Sequence, residues 1–173
     1  MVDNVRLAFP DIQTDSIVDG EGIRSVIWFQ GCDHHCPFCQ NPETWDFAGG
    51  EELAIEKVKK EIEELEFQQG VTFSGGDPLY QLDALIELAK CVHENKMDVW
   101  VYTGFTYEQL IKLSEKDSKY LDALNEIDVL VDGPFIQKLK SFDVKFRGSK
   151  NQRIIDVKRS LKENKIILIE KYI

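Results

Sequence analysis

Apolar residues along the chain follow two patterns that alternate with each other. Short runs rich in β-branched and aromatic residues predict strands at residues 25–30, 71–74, 99–102, 127–131, 154–157 and 166–169. Residues 51–66 and 81–95 instead carry apolar side chains every three or four positions, which predicts two amphipathic helices. A capping box with the sequence Thr-Tyr-Glu-Gln begins a third predicted helix at residue 106.

This alternation is typical of an α/β protein in which mostly parallel strands are covered by helices. A closed eight-stranded (βα) barrel usually needs more than 173 residues, so we expect a single domain, residues 1–173, that forms an open, incomplete (βα) barrel. Functional groups of such a fold gather at the carboxyl ends of the strands. Four segments fall there and predict a single site: the loop after residue 30, Gly75-Gly76, Thr103-Gly104 and Asp132-Gly133.

Composition and charge narrow the class of protein. We expect a cytoplasmic protein without membrane contact, because the sequence contains neither a leader nor an apolar run of membrane length. The net charge of −10 argues against a nucleic-acid partner. Residues 138–165 nevertheless carry +7, which leaves −17 on the rest of the chain. This basic segment could be a docking face for an acidic protein or for a ligand that carries a carboxylate. For most of its lysines we instead expect a solvated surface.

Three cysteines lie close together in the loop after the first predicted strand. Thiolates at the spacing of Cys32, Cys36 and Cys39 can converge on one metal centre. In a reducing compartment, clustered cysteines are more often metal ligands than disulfides. The loop supplies no fourth cysteine. A closed zinc site needs four ligands, whereas a cluster held by three leaves one iron open. His34 or His35 would complete a Cys₃His zinc site, and the chain would then be a non-enzymatic zinc-binding interaction module. This is the alternative, but we expect both histidines to face solvent.

The other candidate residues have both a structural and a functional interpretation. The fourth cysteine, Cys91, lies in a helical pattern and is expected to be a small buried side chain. The turn Ser-Gly-Gly-Asp-Pro at residues 74–78 either lets a ligand approach the backbone, with Asp77 accepting from an ammonium group, or is an ordinary turn with Asp77 as a cap. Three aromatic residues are expected in the core: Trp28, Phe38 and Trp100.

Taken together, these motifs are more specific than any one of them. Cys-x₃-Cys-x₂-Cys after the first strand and Gly-Gly-Asp-Pro after the second resemble the radical S-adenosylmethionine superfamily. Gly-x-Gly-Ile-Arg at residues 20–24 and Asn-Pro-x-Thr-Trp at residues 41–45 are similar to its glycyl-radical-activating branch. Residues 99–104, 127–135 and 147–153, the last reading Arg-Gly-Ser-Lys-Asn-Gln-Arg, resemble the activators of anaerobic ribonucleoside-triphosphate reductase.

The resemblance implies a mechanism. Cys32, Cys36 and Cys39 would be the catalytic centre, holding a [4Fe–4S] cluster whose fourth iron binds S-adenosyl-L-methionine. Reductive cleavage would give a 5′-deoxyadenosyl radical, which takes a hydrogen atom from a glycine in a C-terminal loop of the reductase. The electron would come from a low-potential donor such as flavodoxin or ferredoxin. Because residues 40–45 look more like those of pyruvate formate-lyase activators, another glycyl-radical partner of that kind is the alternative target.

The resemblance also implies which residues bind S-adenosylmethionine. The methionine amino group is assigned to Gly75, Gly76 and Asp77. The adenine is assigned to Phe38 and Gln40, and the ribose or carboxylate side to Thr103 and Asp132. Asp19 to Arg24 and Trp45 are expected to contact the protein partner.

Overall fold

The computed structural model describes residues 2–173, which contain an eight-stranded sheet and five α-helices. The strands are β1 (Asn4–Leu7), β2 (Gln13–Ser16), β3 (Arg24–Phe29), β4 (Glu51–Ala54), β5 (Gly70–Gly75), β6 (Asp98–Tyr102), β7 (Val129–Asp132) and β8 (Arg153–Asp156). The helices are α1 (Ile55–Glu63), α2 (Leu82–Glu94), α3 (Tyr107–Ser114), α4 (Lys119–Asn125) and α5 (Val157–Glu163). No helix within residues 2–173 is long and apolar enough to cross a membrane.

The centre of the sheet is parallel and its two sides are antiparallel. The strand order is β4-β1-β3-β5-β6-β7-β8, and β2 also pairs with β3. Strands β3, β5, β6 and β7 run parallel to one another, whereas β1, β2, β4 and β8 pair antiparallel. Over residues 2–173 the sheet stays open, which confirms the predicted open α/β architecture.

Alternate residues of the central strands face two different layers, as the period of two in a strand requires. Ile27, Val71 and Val99 belong to the main core, which also contains apolar side chains of α1, α2 and α4. Trp100 and Val131 point the other way and belong to a second, smaller cluster. The central strands are thus buried on both faces, as is usual for parallel strands covered on two sides. The face that carries Trp100 also carries the cavity described below.

Two elements differ from their prediction. Residues 51–54, predicted as the beginning of a helix, form β4 and pair with β1 from Asn4↔Ala54 to Leu7↔Glu51. Strand pairing overrides the local helical pattern there, and α1 begins at Ile55. Residues 166–169, predicted as a strand, make only an isolated bridge between Leu168 and Ile155. The capping box was predicted correctly, because the Thr106 and Gln109 side chains each bond the other's backbone N–H.

Candidate active site

A cavity of about 240 Å³ lies at the carboxyl ends of the four parallel strands. All four segments that were expected to converge contribute to its wall. The cysteine loop after β3 forms one side, and the residues that follow β5, β6 and β7 form the others. The lining residues from these segments include Cys32, His34, Cys36, Cys39, Gln40, Gly75, Gly76, Thr103, Gly104 and Gly133. The parallel topology therefore brings segments from across the chain to one place.

The cysteine loop turns sharply, which brings its thiols to the same cavity. His35 and Phe38 have positive φ angles of 50° and 62°, and the Cys39 N–H donates to the Cys36 carbonyl at 3.1 Å. Non-glycine residues rarely adopt such φ angles, so contacts with the rest of the protein must hold the loop in this shape. Cys32 is buried, and the other two cysteines are half-buried.

The three thiols line one cavity, where each could ligate a different iron of one cluster. Within residues 2–173, no three side chains of His, Cys, Asp or Glu lie close enough together to hold one ion. Thiols spread around one cavity can each ligate a different iron of a larger cluster. Burial raises the pKa of the Cys32 thiol to about 12, so iron binding has to displace a proton there. His35 faces solvent as expected, whereas His34 pairs with Asp77 rather than with the cysteines.

His34 is not solvent-facing, contrary to the expectation from sequence. Its Nε2 lies 2.6 Å from Oδ2 of Asp77, and its ring packs against Phe105 and Tyr80 at centroid distances of 4.6 and 5.5 Å. The ring also rests on Gly104, where a Cβ would come within 2.5 Å of the His34 Cδ2. His34 therefore attaches the cysteine loop to the segment that follows β6.

Asp77 is fully buried, and its carboxylate accepts hydrogen bonds from three segments. Oδ2 accepts from the Thr103 hydroxyl at 2.8 Å and from the Gly104 N–H at 3.0 Å, in addition to its contact with His34. Oδ1 accepts from the Leu79 N–H at 3.0 Å, which is the predicted capping role. Each oxygen is thus occupied by protein donors. Asp77 lies behind the cavity wall and fixes the positions of the residues that form it.

The two glycines of the predicted ligand-binding turn form part of that wall. Gly75 has a φ of +99°, and a Cβ there would come within 2.4 Å of the Phe29 carbonyl oxygen. A Cβ at Gly76 would come within 2.5 Å of the Gly31 carbonyl oxygen, and the Gly76 N–H donates to Phe29 at 2.7 Å. Glycine is required at both positions because the turn packs closely against the strand that leads into the cysteine loop.

The remaining predicted residues divide between the cavity and other places. Gln40 and Thr103 line the cavity. Phe38 is 75% exposed, so its expected place in the core was wrong. The Asp132 carboxylate does not line the cavity; it accepts from Arg153 Nε at 3.0 Å and caps α3 through the Tyr107 N–H at 2.8 Å. Asp132 therefore holds β7, β8 and α3 together.

Several lining residues were missed or were expected to do something else. Trp28 was expected in the core but is half-buried and lines the cavity, whereas Trp100 is buried as expected. The alternation of strand β3 could have placed Trp28, since it lies on the opposite face from Ile27. The other lining residues outside the predicted binding set are Asp19, Asn41, Trp45, Ser74, Tyr102, Phe135, Gly148 and Gln152.

Comparison with known proteins agrees with this donor set. The family described as "4Fe-4S single cluster domain" matches residues 18–155, which include all three cysteines of the loop. The match covers well over half of the chain, so the chain belongs to this family of iron–sulfur proteins with a single [4Fe–4S] cluster.

Individual relatives identify the family more closely. Anaerobic ribonucleoside-triphosphate reductase-activating proteins of Salmonella typhi and Escherichia coli are 36% and 34% identical over 144 residues, covering 79% of this chain and 90% of theirs. The pyruvate formate-lyase-activating enzyme of Clostridium pasteurianum is 38% identical over 125 residues, 64% of this chain and 52% of that one. QueE from Escherichia coli superposes with a TM-score of 0.49 at 16% identity over 60% of this chain and 54% of that one. The chain belongs to the family of anaerobic ribonucleoside-triphosphate reductase-activating proteins.

Proposed function

We propose that this protein cleaves S-adenosyl-L-methionine reductively and generates a glycyl radical on anaerobic ribonucleoside-triphosphate reductase. The observation that carries the proposal is the cavity in which three free thiols, Cys32, Cys36 and Cys39, face the glycine turn at the end of β5. When bound, the [4Fe–4S] cluster supplies the electron that splits the sulfonium into methionine and a 5′-deoxyadenosyl radical, which takes a hydrogen atom from the glycine Cα. A low-potential flavodoxin or ferredoxin is the proposed electron source.

The protein's own residues bind, orient and shield. Cys32, Cys36 and Cys39 would hold the [4Fe–4S] cluster through their thiolates, and the loop offers no fourth cysteine to ligate it. Gly75 and Gly76 line the cavity with bare backbone, which is proposed to receive the amino end of the methionine; a Cβ at either position would collide with the neighbouring backbone. Gln40 and Thr103, in the cavity wall, are proposed to contact the bound S-adenosylmethionine. The protein thereby positions cofactors that carry out the difficult chemistry.

Two features support the reductase over pyruvate formate-lyase as the target. The reductase-activating relatives are matched over 90% of their length, whereas the pyruvate formate-lyase-activating enzyme is matched over 52%. The Arg-Gly-Ser-Lys-Asn-Gln-Arg stretch at residues 147–153 also resembles the reductase activators. Pyruvate formate-lyase remains the alternative target because of the 38% identity to its activating enzyme.

The test combines product analysis with detection of the radical. Anaerobically reconstituted protein is reduced and incubated with S-adenosylmethionine and the reductase, and methionine, 5′-deoxyadenosine and the glycyl-radical EPR signal are measured. Cys36→Ala should abolish all three. Cys91→Ala, a matched cysteine change outside the cavity, should keep them. A glycyl radical on pyruvate formate-lyase and none on the reductase would reassign the target, and absence of 5′-deoxyadenosine with an intact cluster would refute the reaction.

A further inference from the structure

The segment between β7 and β8 forms one rim of the cavity and has no part in the proposed chemistry. We define the rim loop as residues 136–150. Phe135, just before it, and Gly148, near its end, both line the cavity, as does Gln152. The loop therefore begins and ends at the site.

Three polar side chains of residues 147–153 hold this loop in place through hydrogen bonds to its backbone and to the backbone that precedes it. The Ser149 hydroxyl accepts from the Ile136 N–H at 3.2 Å, and Asn151 donates to the Pro134 carbonyl at 2.7 Å. Gln152 accepts from the Gly148 N–H at 2.8 Å and donates to the Gly133 carbonyl at 3.1 Å. These bonds cross the base of the loop from one side to the other, so they fix its shape.

The far end of the loop is anchored as well. The Phe146 carbonyl accepts from the Tyr102 hydroxyl at 2.6 Å, and the Phe146 ring packs edge-on against Trp100 and Tyr172 at 5.5 and 5.3 Å. Arg147 donates to the Tyr172 carbonyl at 2.8 Å. The loop is therefore preorganised, which lowers the conformational entropy that the loop itself loses when a partner binds to it.

The surface that this framework presents is apolar and positively charged. Phe142, at its tip, is 92% exposed, and the large apolar side chains of Ile136 and Leu139 are also exposed. The Lys140 ammonium lies 5.2 Å from the centre of the Phe142 ring. Exposed aromatic and aliphatic side chains grouped beside a site are typical of protein interaction surfaces.

The charge of the loop is opposite to that of the chain. Residues 136–150 contain five Lys and Arg and a single Asp, a net charge of +4 on a protein of −10. Four exposed lysines supply most of it: Lys138, Lys140, Lys145 and Lys150. An acidic partner is repelled by the rest of the surface and attracted to this loop, so the charge favours one orientation of docking.

We propose that the rim loop is the docking surface for an acidic, partly apolar segment of the glycine-bearing protein substrate, next to the glycine that enters the cavity. The inference rests on the proposed function, because it requires a protein substrate that reaches this cavity. It gives the Arg-Gly-Ser-Lys-Asn-Gln stretch a structural reason, since those residues build the loop that selects the partner.

The test compares rim variants with matched changes elsewhere. The charge variant carries three changes together: Lys138→Glu, Lys140→Glu and Lys145→Glu. Its control reverses three exposed lysines elsewhere: Lys60→Glu, Lys90→Glu and Lys116→Glu. These lie on α1, on α2 and in the segment after α3. The apolar variant is Phe142→Ala, and its control is Phe67→Ala. Phe67 is exposed and precedes the amino end of β5, whereas the cavity lies at the carboxyl end of that strand. Binding of the holoprotein to the purified reductase is measured by surface plasmon resonance at low and high salt. Cleavage of S-adenosylmethionine with dithionite, without reductase, is measured in parallel.

The inference predicts binding at least tenfold weaker at low salt for the charge variant, with a difference that narrows as salt screens it. Phe142→Ala should weaken binding about tenfold at both salt concentrations, through faster dissociation. Both variants should cleave S-adenosylmethionine as fast as the parent, and both controls should bind as the parent does.

Three results would overturn the inference. Parent-like binding by both rim variants would show that the substrate docks elsewhere. Intact substrate binding with slower reduction by flavodoxin would assign the loop to the electron donor. A parent dimer that both rim variants dissociate, with substrate binding unchanged, would assign it to a second copy of the chain. Failure of the proposed function is distinguishable, because there the parent itself neither cleaves S-adenosylmethionine nor binds the reductase.

Discussion

Replacing Asp77 with Asn tests whether this residue organises the cavity from behind. The carboxylate accepts four hydrogen bonds, one at Oδ1 from Leu79 N–H and three at Oδ2. An amide has one oxygen and one NH₂ group. If its oxygen replaces Oδ2, the NH₂ faces the Leu79 N–H; in the other orientation the NH₂ faces the Gly104 N–H. Both of those donors are backbone groups that cannot turn away, so each orientation leaves a buried donor without an acceptor.

A buried unsatisfied donor costs about 1–3 kcal/mol, so Asp77→Asn should lower the free energy of unfolding by that amount. Asp77→Ala removes both acceptor oxygens and with them all four hydrogen bonds, so it should cost about 3 kcal/mol or more. The assay is urea unfolding of the protein without its cluster, under anaerobic reducing conditions. Asp122→Asn, on the exposed surface of α4, is the control and should change stability by no more than about 0.5 kcal/mol.

The opposite result would identify a different role for Asp77. If Asp77→Asn were as stable as the Asp122→Asn control but had lost affinity for S-adenosylmethionine, the carboxylate would contact the ligand directly. The reasoning about its four protein donors would then be refuted. Iron content of the reconstituted variants distinguishes loss of the cluster from loss of ligand binding.

Three further predictions follow from the same structure. Gly75→Ala forces a Cβ to within 2.4 Å of a backbone oxygen at a φ of +99°. It should therefore lower the melting temperature by an amount equivalent to more than about 1 kcal/mol of stability. An unchanged melting temperature would contradict the close packing of the turn. Cys91→Ala removes a small buried side chain, so it should cost about 1 kcal/mol while the iron content stays that of the parent; loss of iron would make Cys91 a ligand. Hydrogen bonds to Asp128 and Glu126 raise the pKa of His93, and the same contact with His93 helps to lower that of Asp128, near which Lys158 also lies. The stabilisation by protonated His93 is therefore present below its unfolded pKa of about 6.5 and is lost as the pH rises through the raised folded-state pKa. His93→Gln should accordingly lower the free energy of unfolding by on the order of 1 kcal/mol more at pH 6 than at pH 9. An equal loss of stability at both pH values would contradict the ion pair.

The strands and the place of the site could be predicted because they depend on local sequence and on a general property of parallel sheets. Runs such as Ser-Val-Ile-Trp-Phe in β3 have few alternatives to a buried strand. Once the central strands are parallel, their carboxyl ends lie together, and so do the cysteine loop and the Gly75-Gly76 turn. The thiols and glycines of the site therefore needed no tertiary information.

The contacts of individual side chains could not be predicted in the same way. His34 and His35 are neighbours on one loop, yet His34 is half-buried and His35 is exposed. The left-handed conformation at His35 and the absence of a side chain at Gly104 together make room for the His34 ring. Asp132 looked like a ligand because it follows a strand, but Arg153 on β8 lies beside it. Pairing of β4 with β1 likewise depends on residues about 50 positions apart in the chain. Such contacts between distant segments leave no local pattern.

Low-temperature EPR of the anaerobically reconstituted and chemically reduced protein tests the central claim most directly. If the three thiolates are the only protein ligands of a [4Fe–4S] cluster, as proposed, one iron is left open and the signal of the reduced cluster should change when S-adenosylmethionine is added. Reduced protein that contains four irons and gives the same spectrum with and without S-adenosylmethionine would contradict an open iron at this site. Protein that contains zinc and no iron would contradict the cluster itself.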